Sequence, residues 1–203
     1  MVRNDFIKTI AGVAEGQSHW LHRDSYVPIA LAKFKSYLKE FDAASVLDIG
    51  CGQGHDVAAF TALGMQCEGV EINPRYVKEG RKLFPNAKIT SANAERLPFA
   101  DGSFALVYCR NLIFCTDPKK SLAELQRVLR PGGIGHVSLD GKIVQLADGS
   151  LLHSADIDQM LGLLIGCEIL EKEYRERVDE DPTPHRHHYY DVYFRKPTDR
   201  ARS

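Results

Sequence analysis

The stretch that most restricts this chain is Val46-Leu47-Asp48-Ile49-Gly50-Cys51-Gly52-Gln53-Gly54-His55-Asp56, where an apolar run passes into three alternate glycines and then into a polar segment. Alternate glycines admit backbone conformations closed to other residues and let a ligand approach the main chain, at an entropic cost that a plain turn seldom repays. A strand ending in such a turn and feeding a helix opens a parallel α/β sheet. The remaining chain repeats the alternation. Strands are expected at 45–49, 66–71, 87–91, 104–109 and 133–139, and helices at 55–63, 74–83 and 118–130. The last helix opens with Asp117-Pro118, a capping residue before a first-turn proline. It carries Leu122, Leu125, Val128 and Leu129 inward and stops at Pro131-Gly132-Gly133. A further helix is expected at 155–164, then two strands at 167–177 and 188–195 without a long crossover, hence an antiparallel hairpin at one edge.

The expected fold is therefore α/β: a doubly wound, mostly parallel seven-stranded sheet, Rossmann-like, with an antiparallel edge hairpin. Phe6, Ile10 and Val13 mark a short helix before Gly16, and Val27, Leu31, Phe34, Leu38 and Phe41 one face of a longer one. These form an N-terminal helical cap (1–43) on a core (44–196) that ends in a frayed tail (197–203), all within one domain of 203 residues. Lysine plus arginine (26) nearly cancels aspartate plus glutamate (27), so no global field recruits a polyanion and nothing favours a nucleic-acid partner. Five cysteines without a CxxC pair read as reduced thiols. The first residues carry charge where a signal peptide needs an apolar stretch, and no segment reaches the apolar length of a membrane span. A cytoplasmic protein with no membrane partner is the expectation. Nothing in the sequence sets an oligomeric state.

Two carboxylates select the ligand of the glycine turn. Asp48 closes an apolar strand, where a buried charge is costly unless a cation or a donor meets it. Asp56 opens the next helix, where it would repel a pyrophosphate, although a carboxylate also stabilises a helix N-terminus on its own. The pair points to a cofactor with positive charge and no phosphate, and S-adenosyl-L-methionine fits. The spacing agrees, since Gly50, Gly52 and Gly54 form GxGxG and not the GxGxxG of dinucleotide sites. Glu71 closes the second strand, about twenty residues on, where a carboxylate can accept both ribose hydroxyls, or else simply precede a helix opened by Asn73 or Pro74.

From about Ser45 to Gly133 the chain resembles the class I S-adenosylmethionine-dependent methyltransferases, closest to the small-molecule, type 11-like group. The motifs are VLDIGCGQG, EGVEIN, NAERLPFADGSFALVYC and LAELQRVLRPGG, in that order. The resemblance implies that Asp48, Gly50 and Gly52 line the methionine part, with Glu71 on the ribose, Ile72 on adenine, and Cys51 and Gly54 also among the cofactor-binding residues. It also implies Asn93 and Ala94 at the adenine edge, Cys109 closing the floor, and S-adenosyl-L-homocysteine as product. Asn93 departs from the family's usual aspartate. Its carbonyl oxygen can accept the same hydrogen bond, with weaker neutral bonding.

Methyl transfer to a placed acceptor draws much of its rate from proximity and needs a base only if the acceptor loses a proton. His19 and His22 are the candidate bases; Trp20, Tyr26, Arg110 and Asn111 are the candidate acceptor-pocket residues, with Arg23 and His153 nearby. His136, inside the fifth strand, is expected to be a hydrogen-bonded core residue. His185, His187 and His188 read as part of a solvated hairpin, with no metal site expected, and the run EILEKEYRERVDED as the exposed side of its strand. CRNLIF follows the fourth strand in place of an NPPY-like motif, and no basic, aromatic-rich extension is present. Both favour a small-molecule methyl acceptor. A protein or RNA acceptor and a non-catalytic S-adenosylmethionine-binding module are the alternatives.

Overall fold

The computed structural model describes residues 26–38, 44–140, 143–145, 151–153, 157–179 and 185–198. Its main sheet contains β1 (Ser45–Ile49), β2 (Gln66–Glu71), β3 (Lys88–Ser91), β4 (Phe104–Cys109), β5 (Leu129–Asp140), β8 (Glu168–Asp179) and β9 (His185–Arg195). The spatial order is β3-β2-β1-β4-β5-β9-β8. The first five strands run parallel, whereas β9 pairs antiparallel with both β5 and β8, which gives the expected edge hairpin. The chain direction across the sheet reverses between β1 and β4, and in open α/β sheets the ligand crevice lies at the carboxyl ends of such a pair.

Alternation along the strands separates two cores. Val46, Leu106, Tyr108, Ile134 and Tyr193 meet α1 (Val27–Tyr37) and α2 (His55–Ala62) on one face, through Val27, Ala30, Phe34, Val57 and Phe60. Leu47, Ile49, Val107, Cys109, Val137 and Leu139 meet α4 (Pro118–Val128) on the other, through Leu122, Leu125 and Val128. The α3 helix (Pro74–Leu83) is capped as its sequence demands: Asn73 accepts the Arg75 N–H and Pro74 occupies the first turn. Asp117 caps α4 in the same way through the Lys119 N–H.

Several boundaries differ from expectation. The α1 helix ends at Tyr37, because Leu38 turns extended, and its buried face is Val27, Ala30 and Phe34. Leu129, with ψ 129°, leaves the helical path, so α4 stops before Pro131 and the Pro-Gly-Gly stretch belongs to β5. Gly133 fits there because a Cβ would lie 2.9 Å from the Ala105 carbonyl oxygen. The α5 helix is the shorter span Ile157–Gly162. A two-stranded sheet, β6 (Ile143–Gln145) with β7 (Leu151–His153), was not expected; three-residue strands carry too little periodicity to read. The N-terminal helix, residues 1–25 and the tail beyond 198 lie outside the described residues. No helix among the described residues is long and apolar enough to cross a membrane.

Candidate functional site

Gly50, Gly52 and Gly54 all adopt positive φ (77°, 55° and 81°), so the loop after β1 requires glycine at each. The Gly50 and Cys51 amides donate to the Val70 carbonyl, which folds the loop back toward β2. Gly54 and Gly52 then differ in kind. A Cβ on Gly54 would lie 2.4 Å from Ile89 Cδ1, so this glycine lets α2 settle against β3. A Cβ on Gly52 would meet nothing within 4 Å. Among the described residues that glycine therefore faces open space, where a ligand could approach the backbone.

Glu71 anchors the loop. Its Oε2 accepts the Gly52 N–H at 3.0 Å and its Oε1 the Asn73 N–H at 2.8 Å. A carboxylate has about four acceptor positions, so two remain for a ligand. Next to it Ile72 is 62% exposed, an apolar side chain left uncovered at the crevice. Asn93 Oδ1 accepts the Glu95 N–H at 2.9 Å, so the oxygen expected to face adenine already closes its own turn. Ala94 and Cys109 are buried behind it. This wall is clamped to α4. Arg127 donates to the carbonyls of Phe99 (2.7 Å) and Leu97 (3.1 Å), Glu124 accepts the Leu97 N–H, and Glu95 accepts the Asp117 N–H. The stretch from Glu95 to Asp101 is thus a bracket that holds Asn93 and Ala94 in place.

Asp48, 3% exposed, points to the α1 face, and its Oδ2 has no hydrogen-bond partner among the described residues. Burial, reinforced by the charges of Asp56 and Glu71 and opposed by Arg110, raises its carboxyl well above the usual range. The strand register continues from it as a polar row: Asp48 beside Tyr108, Tyr108 beside His136, His136 beside Tyr193. His136 Nε2 and Asp191 Oδ1 lie 2.9 Å apart, both groups fully enclosed. Arg175 on β8 reaches the second Asp191 oxygen at 3.0 Å as an ion pair without hydrogen-bond alignment. The Tyr26 ring, just before α1, carries the guanidiniums of Arg110 and Arg175 at 4.8 and 5.0 Å. Arg110 also faces Asp56 at 3.8 Å. Cation–π contacts and two ion pairs, the one to Asp56 loose, hold these charges together.

Of the expected acceptor-pocket residues, Tyr26, Arg110 and Asn111 are brought to this edge of the sheet. Asn111 has φ 53°, the one left-handed non-glycine among the described residues, and Ser138 Oγ lies 3.4 Å from its Oδ1. Asparagine tolerates that conformation best. His19, Trp20, His22 and Arg23 lie outside the described residues, and His153, His185, His187 and His188 are described only as backbone. His136 is the hydrogen-bonded core residue expected. The EILEKEYRERVDED run is corrected: Glu171 binds Lys33 and Tyr37 of α1, and Arg175 meets Asp191, so alternate members face inward. Tyr108, Asp191 and Arg175 were missed. For Tyr108 and Asp191 the available signal was a hydroxyl and a carboxylate inside the apolar strands FALVYC and YYDVYF, where burial demands a partner; Arg175 sits in a charged run that gave none.

Residues 47–137 match the family model of the methyltransferase domain. An uncharacterized methyltransferase of Mycobacterium sp. (strain KMS) is 39% identical over 95 residues, 46% of this chain and 38% of the relative. A demethylmenaquinone methyltransferase of Renibacterium salmoninarum is 34% identical over 89 residues, 43% of this chain and 38% of the relative. The match thus spans well under half the length of these curated relatives. Among solved structures, a putative methyltransferase from Bacillus halodurans has a TM-score of 0.67 at 19% identity, covering 83% of this chain and 99% of the other. A Methanosarcina mazei protein described as a SAM-dependent methyltransferase gives 0.66 at 19% identity, covering 87% and 100%. At that identity the two likenesses establish the fold.

Proposed function

We propose that this chain, which carries a class I S-adenosylmethionine-dependent methyltransferase domain, transfers the methyl group of S-adenosyl-L-methionine to a small-molecule acceptor. The observation that carries the reading is the buried Asp48 Oδ2 at the reversal of the sheet, which has no hydrogen-bond partner among the described residues, beside a Gly52 that none of them crowds. A cationic ammonium satisfies that oxygen, where a pyrophosphate would meet three carboxylates. Glu71 offers its two remaining acceptor positions to a ribose diol, and Ile72 offers an apolar plate to adenine. Asn93, its oxygen engaged, presents its amide nitrogen to the adenine edge, with Ala94 and Cys109 as wall and floor; Gly50, Cys51 and Gly54 shape the loop.

When bound, the cofactor supplies an activated methyl group on a sulfonium. The chain's own work is placement, which can provide a large share of the rate. Tyr26, Arg110 and Asn111 line the edge on which an acceptor would be held, with Trp20 and the candidate bases His19 and His22 in the preceding segment. Near-zero net charge supports a small molecule over RNA, and cysteines without a CxxC pair support a cytoplasmic setting.

The test is methyl-labelled S-adenosylmethionine with the purified protein and a cell extract split into metabolite, RNA and protein fractions. Label in the metabolite fraction is expected. Label in RNA or protein would replace the acceptor class. Calorimetric binding of S-adenosylhomocysteine without label in any fraction would turn the reading toward a binding module.

A further inference from the structure

The two edges of the main sheet are finished differently. An edge strand leaves a row of N–H and C=O groups open to pairing, and proteins usually blunt it by keeping the strand short or placing charges on it. The β3 edge is blunted by length, since Lys88–Ser91 has four residues. The β8 edge is not. Glu168–Asp179 runs for twelve residues, stands last in the sheet and pairs only with β9 among the described residues. The α1 helix sits one strand in, with Phe34 and Tyr37 against Tyr193 of β9.

The middle of β8 reads Glu171-Lys172-Glu173-Tyr174-Arg175-Glu176-Arg177, an order that protection alone does not require. Residues equally far from Tyr174 carry opposite charges: Glu173 and Arg175, Lys172 and Glu176, Glu171 and Arg177. The contacts within the chain make no use of that symmetry. Opposite this stretch β9, from Tyr193 to His187, offers one carboxylate, Asp191, and no lysine or arginine; Glu173 even stands across from that carboxylate. Glu171 binds Lys33 and Tyr37, Lys172 lies 3.9 Å from Asp158, and Arg175 meets both Asp191 and its strand neighbour Glu173.

We propose that β8 pairs antiparallel with β8 of a second copy of this chain, about a twofold axis through Tyr174, joining the two sheets into one. Residues directly opposite in an antiparallel pair share a face of the sheet, so a twofold pairing is centred on a residue and not between two. From Glu171 to Arg177 every residue except Tyr174 is charged, so any other centre in this stretch sets two like charges on the axis. Centred on Tyr174, the register sets Glu173 opposite Arg175, Lys172 opposite Glu176 and Glu171 opposite Arg177, each pair twice. Opposite charges across strands favour pairing, and like charges oppose it. The irregularity in the β8–β9 register falls between Ile169 and Glu171, before this stretch begins. Tyr174, 49% exposed, meets its own copy at the axis. Main-chain hydrogen bonds supply the affinity and the charges fix the register. One patch serves both copies, so the assembly closes at two.

The test exchanges the charges. Analytical ultracentrifugation of the full chain over a series of concentrations should show a monomer–dimer equilibrium that shifts toward monomer as salt rises. Lys172→Glu sets carboxylates against each other at two places in the dimer, and Glu176→Lys does the same with ammonium groups. Each variant alone should weaken association about tenfold or more. Mixing the two variants in equal amounts should restore the dimer, because a mixed pair again sets opposite charges at both places. The double variant Lys172→Glu/Glu176→Lys should associate like wild type, and thermal melts followed by circular dichroism check that every variant is folded. A wild-type chain that stays monomeric at every concentration overturns the proposal. So does a dimer that both single variants leave intact, or a mixture of folded single variants that stays monomeric.

Discussion

The two sides of the crevice are built by different means. On the β1–β3 side the site is mainly backbone: left-handed glycines, amide hydrogens gathered by Glu71, and a wall held by main-chain hydrogen bonds to Arg127 and Glu124. On the β4–β9 side it is side chain on side chain: Tyr26, Tyr108, His136 and Asp191, buried and only partly satisfied, with the half-buried Arg110 and Arg175 against them. A backbone site needs particular residues at fixed spacing along one segment. A side-chain site needs only that distant strands fall into register. The first should therefore govern cofactor affinity at little cost to stability, and the second should govern stability with little effect on cofactor affinity.

The largest expected effect lies on the side-chain side. Asp191→Ala leaves His136 and Arg175 facing an empty place and should cost about 3–5 kcal/mol, as removing one member of a buried pair usually does. Denaturant unfolding measures this, and S-adenosylhomocysteine affinity of the folded fraction should hardly change. A tenfold loss of affinity would break the division between the two sides. Next come the glycines. Gly80→Ala places a Cβ 2.4 Å from the Gln53 carbonyl oxygen, against main chain that cannot yield, and should destabilise by about 1–3 kcal/mol. Gly52→Ala meets no atom and bears mainly the strain of its positive φ, about 1–2 kcal/mol, while its methyl group obstructs the cofactor. Equal affinity in wild type and Gly52→Ala would remove that glycine from the site.

Glu71→Ala should weaken S-adenosylhomocysteine binding at least tenfold, about 1.4 kcal/mol, the scale of one charge-assisted hydrogen bond. Unchanged affinity in a folded variant would dismiss the ribose assignment. Acid should reveal the row. His136 in the fold titrates below its ordinary value of 6.5, so the unfolded chain binds more protons once the pH falls below about that value. Burial alone would raise the Asp191 carboxyl, but the His136 hydrogen bond and charge outweigh it and hold it low, so Asp191 adds to the loss at lower pH. Asp48 has the opposite sign: its raised carboxyl costs stability as the pH climbs from the ordinary carboxylate range through the folded value. The His136 contribution should thus be lost on acidification below about pH 6.5, and His136→Phe should remove that part of the slope in pH-resolved thermal unfolding. The smallest effect belongs to Lys33→Ala, which removes a partly exposed ion pair to Glu171 and should cost under about 1 kcal/mol.

Much of this protein was legible before folding, and the reason is local. Strands 45–49, 66–71 and 104–109 and the helix 74–83 stand where periodicity put them, because capping and alternation act over a few residues. The glycine turn and Glu71, on which the proposed cofactor half rests, were legible for the same reason, since each is a short-range demand on backbone geometry. What the sequence alone determined was therefore the strands and helices, and with them the mostly parallel sheet and its antiparallel edge hairpin. Only the tertiary structure decided that Asp48, Tyr108, His136 and Asp191 share one face, that Arg175 turns inward from a run that reads as solvated, and that Asn93 spends its oxygen on its own turn. Those facts depend on strand register and on pairings between residues up to 167 apart, such as Tyr26 with Tyr193. No local pattern encodes them, because the energy that selects them appears only when four strands have closed around the same polar atoms.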